Sequence, residues 1–164
     1  NEINGKHYFF INQDEFKKLV SKGKFLEHAK VFNNYYGSSK DIVFEKLDKG
    51  QNVIFDIDWQ GTEQLKEKKL KYKIITIFIL PPSRKELLNR LLNRDINDEK
   101  NAMERMKQFD EDVRHWKNYD LVVINDDFIK CYEKIIKYIH SKINNISVSY
   151  DKNEIDKHIL NLLK

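Results

Sequence analysis

A single cysteine, Cys131, is all the thiol the 164-residue chain carries, so no internal disulfide forms and a reducing, cytoplasmic setting is expected. Two prolines and five glycines are too few for collagen-like or Pro/Gly-rich disordered chains. No apolar run approaches the roughly 20 residues that cross a bilayer, and no secretory signal pattern opens the chain. A large excess of one charge is also missing. Thirty basic residues stand against 26 acidic ones, a formal net charge of +4 spread along the sequence. That leaves no clustered basic face, so neither nucleic acid nor membrane is an expected partner. What is present is 40% hydrophobic and 34% charged residues, in a length that suits one domain with its own core.

Arginine is scarce as well. Only five of the 30 basic residues are Arg, and Arg84, Arg90, Arg94, Arg105 and Arg114 all fall in one stretch. In a chain that uses Lys wherever charge suffices, Arg marks a need for its planar, bidentate fork. Phosphate recognition is the commonest such need. The plainer reading is a solvated helix with i,i+4 pairs, as Glu86 and Arg90 would form.

Along the chain, residues 7–11 (His-Tyr-Phe-Phe-Ile) have strand propensity. Asn12 followed by Glu15 marks a helix start, with Phe16, Leu19 and Val20 on its apolar face and Gly23 as its stop. Residues 25–32 read as a strand, Asn33-Asn34 as a turn, and Ser39 or Asp41 as the cap of a helix running to Leu47. Residues 52–58 then read as a buried strand ending in Asp56 and Asp58. A helix over residues 60–69 leads to the apolar run 74–80. Pro81-Pro82 breaks the chain, and Ser83 caps the next helix. Residues 121–124 form a third buried strand. Apolar positions from Phe128 to Ile143 recur at helical spacing, and a last helix covers 153–163. Continuous apolar runs separated by helices predict an α/β fold with a parallel sheet covered on both faces.

In open parallel sheets, ligands bind beyond the carboxyl ends of the strands. Two runs end in polar clusters, Asp56-x-Asp58 and Asn125-Asp126-Asp127. An apolar strand ended by Asp suits a magnesium ion near a nucleotide, often through water; Asp also caps helices and turns. Arg90 and Arg94 lie four apart on one face of the Ser83 helix, and Arg105 sits on a second helix beginning near Asp98. Three arginines on a two-helix insertion make a cap that could close on phosphates, or a surface hairpin. His7 and His28 show no metal-ligand spacing. Trp59, Trp116 and Cys131 read as packing residues, and the Met103 and Met106 pair as helix filling.

Several stretches together resemble a known family. They are Gly5-Lys6-His7-Tyr8-Phe9-Phe10, Phe25-Leu26-Glu27-His28-Ala29 and Asn34-Tyr35-Tyr36-Gly37-Ser38-Ser39, then Asp56-Ile57-Asp58-Trp59-Gln60-Gly61, Pro81-Pro82-Ser83 with Arg90 and Arg94, and Val123-Ile124-Asn125-Asp126-Asp127. In this order and spacing they resemble the guanylate kinases, over residues 1 to about 143. The resemblance implies a P-loop-kinase-type parallel sheet flanked by helices, with a small mixed GMP-binding segment and a helical lid. It divides the chain into residues 1–48 (GMP-binding segment), 49–82 (core), 83–117 (lid) and 118–164 (core and C-terminal helices). The implied reaction is transfer of the ATP γ-phosphoryl group to GMP, giving ADP and GDP, with Mg2+ accompanying ATP.

Carried over residue by residue, Glu27 and Asp58 would accept from the guanine N1–H and amine, and Ser38 would read O6. Tyr8 and Tyr36 would hold the GMP phosphate, with Glu2 at the entry of the same segment. Arg90, Arg94 and Arg105 would neutralise the transferring phosphoryl group, and Arg90, Arg94 and Asn125 would contact ATP. Asp56 would lie near the magnesium, reaching it through water, with no direct protein ligand to the metal. The expected partners are GMP and ATP, in a monomer or homodimer.

One family element has no match. The pattern G-x-x-x-x-G-K-[ST] does not occur; Gly5-Lys6 and Gly23-Lys24 lack both the preceding glycine and the following Ser/Thr. The resemblance implies that roughly forty residues bearing that loop precede the part seen here, so the chain is expected to be a portion of a longer enzyme whose catalysis needs that loop. The alternative is a non-catalytic guanylate-kinase-like module that binds a phosphorylated peptide.

Overall fold

The computed structural model describes residues 2–32, 34–94 and 98–164. They form two compact units, residues Asn1–Tyr72 and Lys73–Lys164.

In the first unit, α1 (Gln13–Ser21) begins where the capping pattern places it: the Asn12 side chain accepts the Glu15 N–H at 2.9 Å. Its Phe16 is buried and stacks on Phe25 with ring centroids 4.7 Å apart. Strands β1 (Phe25–Val31) and β2 (Asn34–Ser39) pair antiparallel, with Glu27 opposite Ser38 and Ala29 opposite Tyr36. Strand β2 was not among the predicted strands. Gly37 and two serines give it low propensity, and pairing with β1 supplies what propensity lacks. Asn33, half of the predicted turn, lies outside the described residues, and Asn34 opens β2. Helix α2 (Lys40–Asp48) is capped by Ser39, and α3 (Trp59–Glu67) by Asp58.

Two expected strands in this unit do not form. Residues 7–11 follow a tight turn in which Gly5, at φ 77°, donates to the Tyr8 carbonyl at 2.7 Å and His7 N–H donates to the Ile3 carbonyl at 3.0 Å. The Asn4 side chain then takes the Phe10 N–H at 2.8 Å, so local acceptors use the donors a ladder would need. Residues 52–58 pair with no described strand, and Ile54 is 95% exposed. A continuous apolar run becomes a central strand only with neighbours on its edges, and none pairs with it among the described residues.

The second unit is the α/β body. Strands β3 (Ile77–Leu80) and β4 (Leu121–Ile124) pair parallel, with Phe78 opposite Val122. Successive side chains alternate between two faces. Phe78, Leu80, Val122 and Ile124 pack with Val113, Trp116 and the Ile155, Ile159 and Leu162 of α7 (Lys152–Leu162). Ile75, Ile77, Leu121 and Val123 pack with Cys131, Ile135 and Tyr138 of α6 (Phe128–Ile143). Helices pack on both faces, as the apolar runs predicted, although Ile79 on the α6 side is 53% exposed. Strand β3 is shorter than the run 74–80 because a side-chain latch takes its start: Asp120 accepts from the Thr76 N–H and hydroxyl, each at 2.8 Å. Helix α4 (Arg84–Arg94) starts at Ser83, whose hydroxyl accepts the Glu86 N–H at 3.1 Å. Helix α5 (Glu99–Asp112) is capped by Asp98 and runs into a 3-10 helix at Val113–Asn118. No helix among the described residues is long and apolar enough to cross a membrane.

Candidate functional site

Glu27 sits mid-strand yet is only 4% exposed. A buried carboxylate needs donors to offset lost hydration, and the Ser38 hydroxyl supplies one at 2.5 Å. This contact depends on a register shift between Phe25 and Glu27. Phe25 faces Ser39, so strict one-to-one pairing would set Glu27 against Gly37 instead of Ser38. The extra residue in β1 re-aims the carboxylate, as bulges beside binding sites commonly do.

Asp58 caps α3. Its Oδ1 accepts the Gly61 N–H at 3.0 Å, and its Oδ2 accepts from the Gln60 amide at 2.9 Å. Gly61 lies between the two acids, because a Cβ there would stand 2.6 Å from the Glu27 Oε2. A helical Gly costs about 0.5–1 kcal/mol relative to Ala, so its presence calls for a reason outside the helix. Gln64, one turn on, straps α3 to β1: its amide donates to the His28 carbonyl at 2.7 Å and accepts the His28 N–H at 3.1 Å. Gly61 thus borders both carboxylates, bonding Asp58 through its N–H and leaving room for Glu27 where a Cβ would stand. Ionised carboxylates only accept, so the arrangement suits a ligand edge that presents adjacent N–H donors.

Tyr36 is two residues from Ser38 and on the same face of β2. Its ring meets that of Tyr8 edge-on at 6.0 Å, with Tyr8 45% and Tyr36 43% exposed. Both phenols are therefore available to a ligand. Glu2 and Asp56 are exposed.

In the second unit, the exposed Arg90 projects from α4. Its Nε pairs with Glu86 at 2.8 Å, the i,i+4 pair seen in the sequence, and its Nη1 donates to the Asn125 carbonyl at 3.1 Å. The structure thus joins two of the predicted donor-side residues. Arg94 is exposed at the end of α4, and Arg105 is half-buried on α5. The Asn125 N–H donates to the Leu80 carbonyl at 2.8 Å, fixing the turn after both strands. Beyond it, the Asp127 N–H bonds Asp126 and holds that carboxyl below the usual range, while Asp127 caps α6.

Three residues in these clusters carry roles the sequence reading did not assign. Gly61 and Gln64 set the geometry around Glu27; the sequence signals were a glycine in the first turn of a helix and its place at the end of the Asp56–Gly61 stretch. Arg84 forks onto Asp110 of α5 and donates to the Leu162 carbonyl at 3.0 Å, so it braces the arginine-bearing helix and is engaged by protein groups. Hydrogen bonding to Asp110 raises its pKa further.

A sequence model of the guanylate kinase family matches residues 1–142. The chain is 46% identical over 127 residues to a guanylate kinase of Escherichia coli strain K12, covering 77% of this chain and 60% of that protein. It is 47% identical over 127 residues to one of Blochmanniella floridana, with the same coverage of each. The chain therefore spans about 60% of the length of these curated relatives. Among solved structures, the guanylate kinase from Anaplasma phagocytophilum superposes with a TM-score of 0.65 at 31% identity, covering 86% of this chain and 68% of that one. With most of its length inside the matched region, the chain belongs to the guanylate kinase family.

Proposed function

We propose that this chain carries the GMP-binding and arginine-bearing parts of an enzyme that transfers the ATP γ-phosphoryl group to GMP. The observation that carries the reading is the acid pair at Gly61: buried Glu27 held by Ser38, with Asp58 bonded to the same glycine. Guanine offers N1–H and an exocyclic amine side by side, which two acceptors match. Adenine lacks an N–H at N1 and has no amine beside it at C2, so it would leave a carboxylate unpaired and be rejected.

Tyr8 and Tyr36 would donate to the GMP phosphate, with Glu2 at the entry of the same segment. An oxygen of that phosphate attacks the γ-phosphorus of ATP; its bond to the β–γ bridging oxygen breaks, and ADP departs. Such transfer rests on positioning and electrostatics, so Arg90, Arg94 and Arg105 would offset the charge on the reacting phosphates. Arg90 would exchange its Glu86 and Asn125 contacts for phosphate oxygens, and Asn125 would help seat the adenosine. Among the described residues no three His, Cys, Asp or Glu side chains form a metal-binding group. The exposed Asp56 fits an outer, water-mediated contact to magnesium carried by ATP. When bound, that ion would neutralise phosphate charge.

The test is calorimetric titration of the folded chain with GMP and with AMP. Binding of GMP with little response to AMP is expected. Equal responses refute the guanine assignment, and phosphopeptide binding with no GMP response would favour the scaffold-type module.

A further inference from the structure

We propose that Gly61 is a specificity-determining position: the missing side chain there is what allows the Glu27 carboxylate to stand where a guanine edge can reach it. This rests on the reading that the site takes guanine.

Nothing in the backbone requires glycine at 61. Gly5, Gly23 and Gly50 occupy left-handed φ values of 77°, 62° and 75°, whereas Gly61 is helical. An alanine would be the better helix former. The constraint comes from across the gap. A Cβ on residue 61 would lie 2.6 Å from the Glu27 Oε2, 3.3 Å from its Cδ, and 3.2 Å from the Ile57 Cδ1. Contacts this short force something to move.

The neighbours have little room to give. Glu27 is set in β1 opposite Ser38, its other oxygen is held by the Ser38 hydroxyl at 2.5 Å, and the residue is 4% exposed. Helix α3 is fixed to β1 by the two hydrogen bonds between Gln64 and His28. A methyl group would therefore displace the carboxylate head while the Gly61 N–H contact to Asp58 persists. One acceptor of the pair would be disturbed and the other kept. The expected phenotype is loss of base selectivity in a chain that still folds, because the better helix propensity of Ala offsets part of the cost of the crowding.

The test is calorimetry of the 164-residue chain and its G61A, E27D and G61A/E27D variants with GMP and AMP, alongside thermal melting. G61A should weaken GMP by about 10- to 100-fold, the usual range for losing one hydrogen bond to a charged group. Its AMP affinity should not fall, and it should still melt cooperatively. E27D alone should weaken GMP, because its carboxylate falls short by one methylene. In the G61A background the same shortening makes room for the new methyl group, so the double variant should bind GMP better than G61A does. A merely structural role for Gly61 would lower GMP and AMP affinities together in G61A and leave base selectivity unchanged in all three variants. Undiminished GMP binding by G61A, or additive losses in the double variant, overturns the proposal. If G61A does not fold, the double variant decides: folded and GMP-selective supports it, unfolded overturns it. If the unmodified chain binds GMP and AMP equally, the guanine reading fails and this proposal with it; if only G61A is indifferent to the change, Gly61 alone is misassigned.

Discussion

Helix α7 lies beyond the region matched by the family model, yet it covers one face of the β3–β4 sheet. Leu160→Ala and Leu162→Ala test that packing against each other. Both make the same chemical change on the same helix, so propensity effects nearly cancel. Leu162 is 1% exposed and packs with Leu80, Val113, Trp116 and Val122, whereas Leu160 is 57% exposed. Removing buried methylenes forfeits about 0.8 kcal/mol each in transfer free energy, and the cavity brings Leu→Ala in cores to about 2–5 kcal/mol. Leu162→Ala should therefore destabilise by about 3 kcal/mol, and Leu160→Ala by about 0.5 kcal/mol or less. In urea, with a slope near 2 kcal/mol per molar, the first shift is a midpoint about 1.5 M lower. Trp116 belongs to the same cluster as Leu162, so its fluorescence in a Trp59→Phe background follows the relevant unit. A difference between the two variants below about 1 kcal/mol would show that α7 does not seal this face.

Asp58→Asn should keep α3 intact, because Asn caps a helix as well as Asp does, while GMP affinity falls by about tenfold or more and ATP affinity changes less. Unchanged GMP affinity by calorimetry would remove Asp58 from the guanine edge. In a protein that also carries the G-x-x-x-x-G-K-[ST] loop, Arg90→Lys should lower turnover by about 10²-fold or more in a steady-state phosphoryl-transfer assay and leave GMP affinity nearly unchanged, since Lys keeps the charge and loses the fork. Equal turnover would take Arg90 off the catalytic list. Cys131 is 5% exposed and burial pushes its thiol pKa up, so a thiol reagent near pH 8 should label it only in denaturant. Rapid labelling of the folded chain would contradict the packing of α6 against β4.

Caps were the most legible part of the sequence. Asn12 and Ser83 read as helix starts and are, and of the two candidates Ser39 and Asp41 it is Ser39 that caps α2, because a cap is a short-range contact between a side chain and N–H groups two or three residues away. Asp58 and Asp127 read as strand-end acids for chemistry; both also cap the helices that follow. Strands were less legible because their stability comes from partners distant in sequence. Residues 7–11 and 52–58 have strand composition without a ladder, while residues 34–39 have a ladder without the composition. The acids and hydroxyl of the candidate site could be found by residue type and motif order. The register shift that turns Glu27 toward Ser38 could not, because pairing leaves no mark on either strand alone. Gly61 was hidden for a related reason: a missing side chain advertises no chemistry until its neighbours are in place.

The link from the Arg84 guanidinium to the Leu162 carbonyl has a consequence for how the chain is made. Synthesis runs from the N-terminus, so β3, β4 and the helix beginning at Arg84 are made before residues 152–162 exist. Until then Leu80 and Val122 have no helical cover from α7, and Arg84 lacks one of its acceptors. The second unit can complete its core only after translation has passed Leu162. A chain released before that point would lack the α7 cover over Leu80 and Val122 and display a bare apolar sheet face, a surface prone to aggregation or chaperone capture.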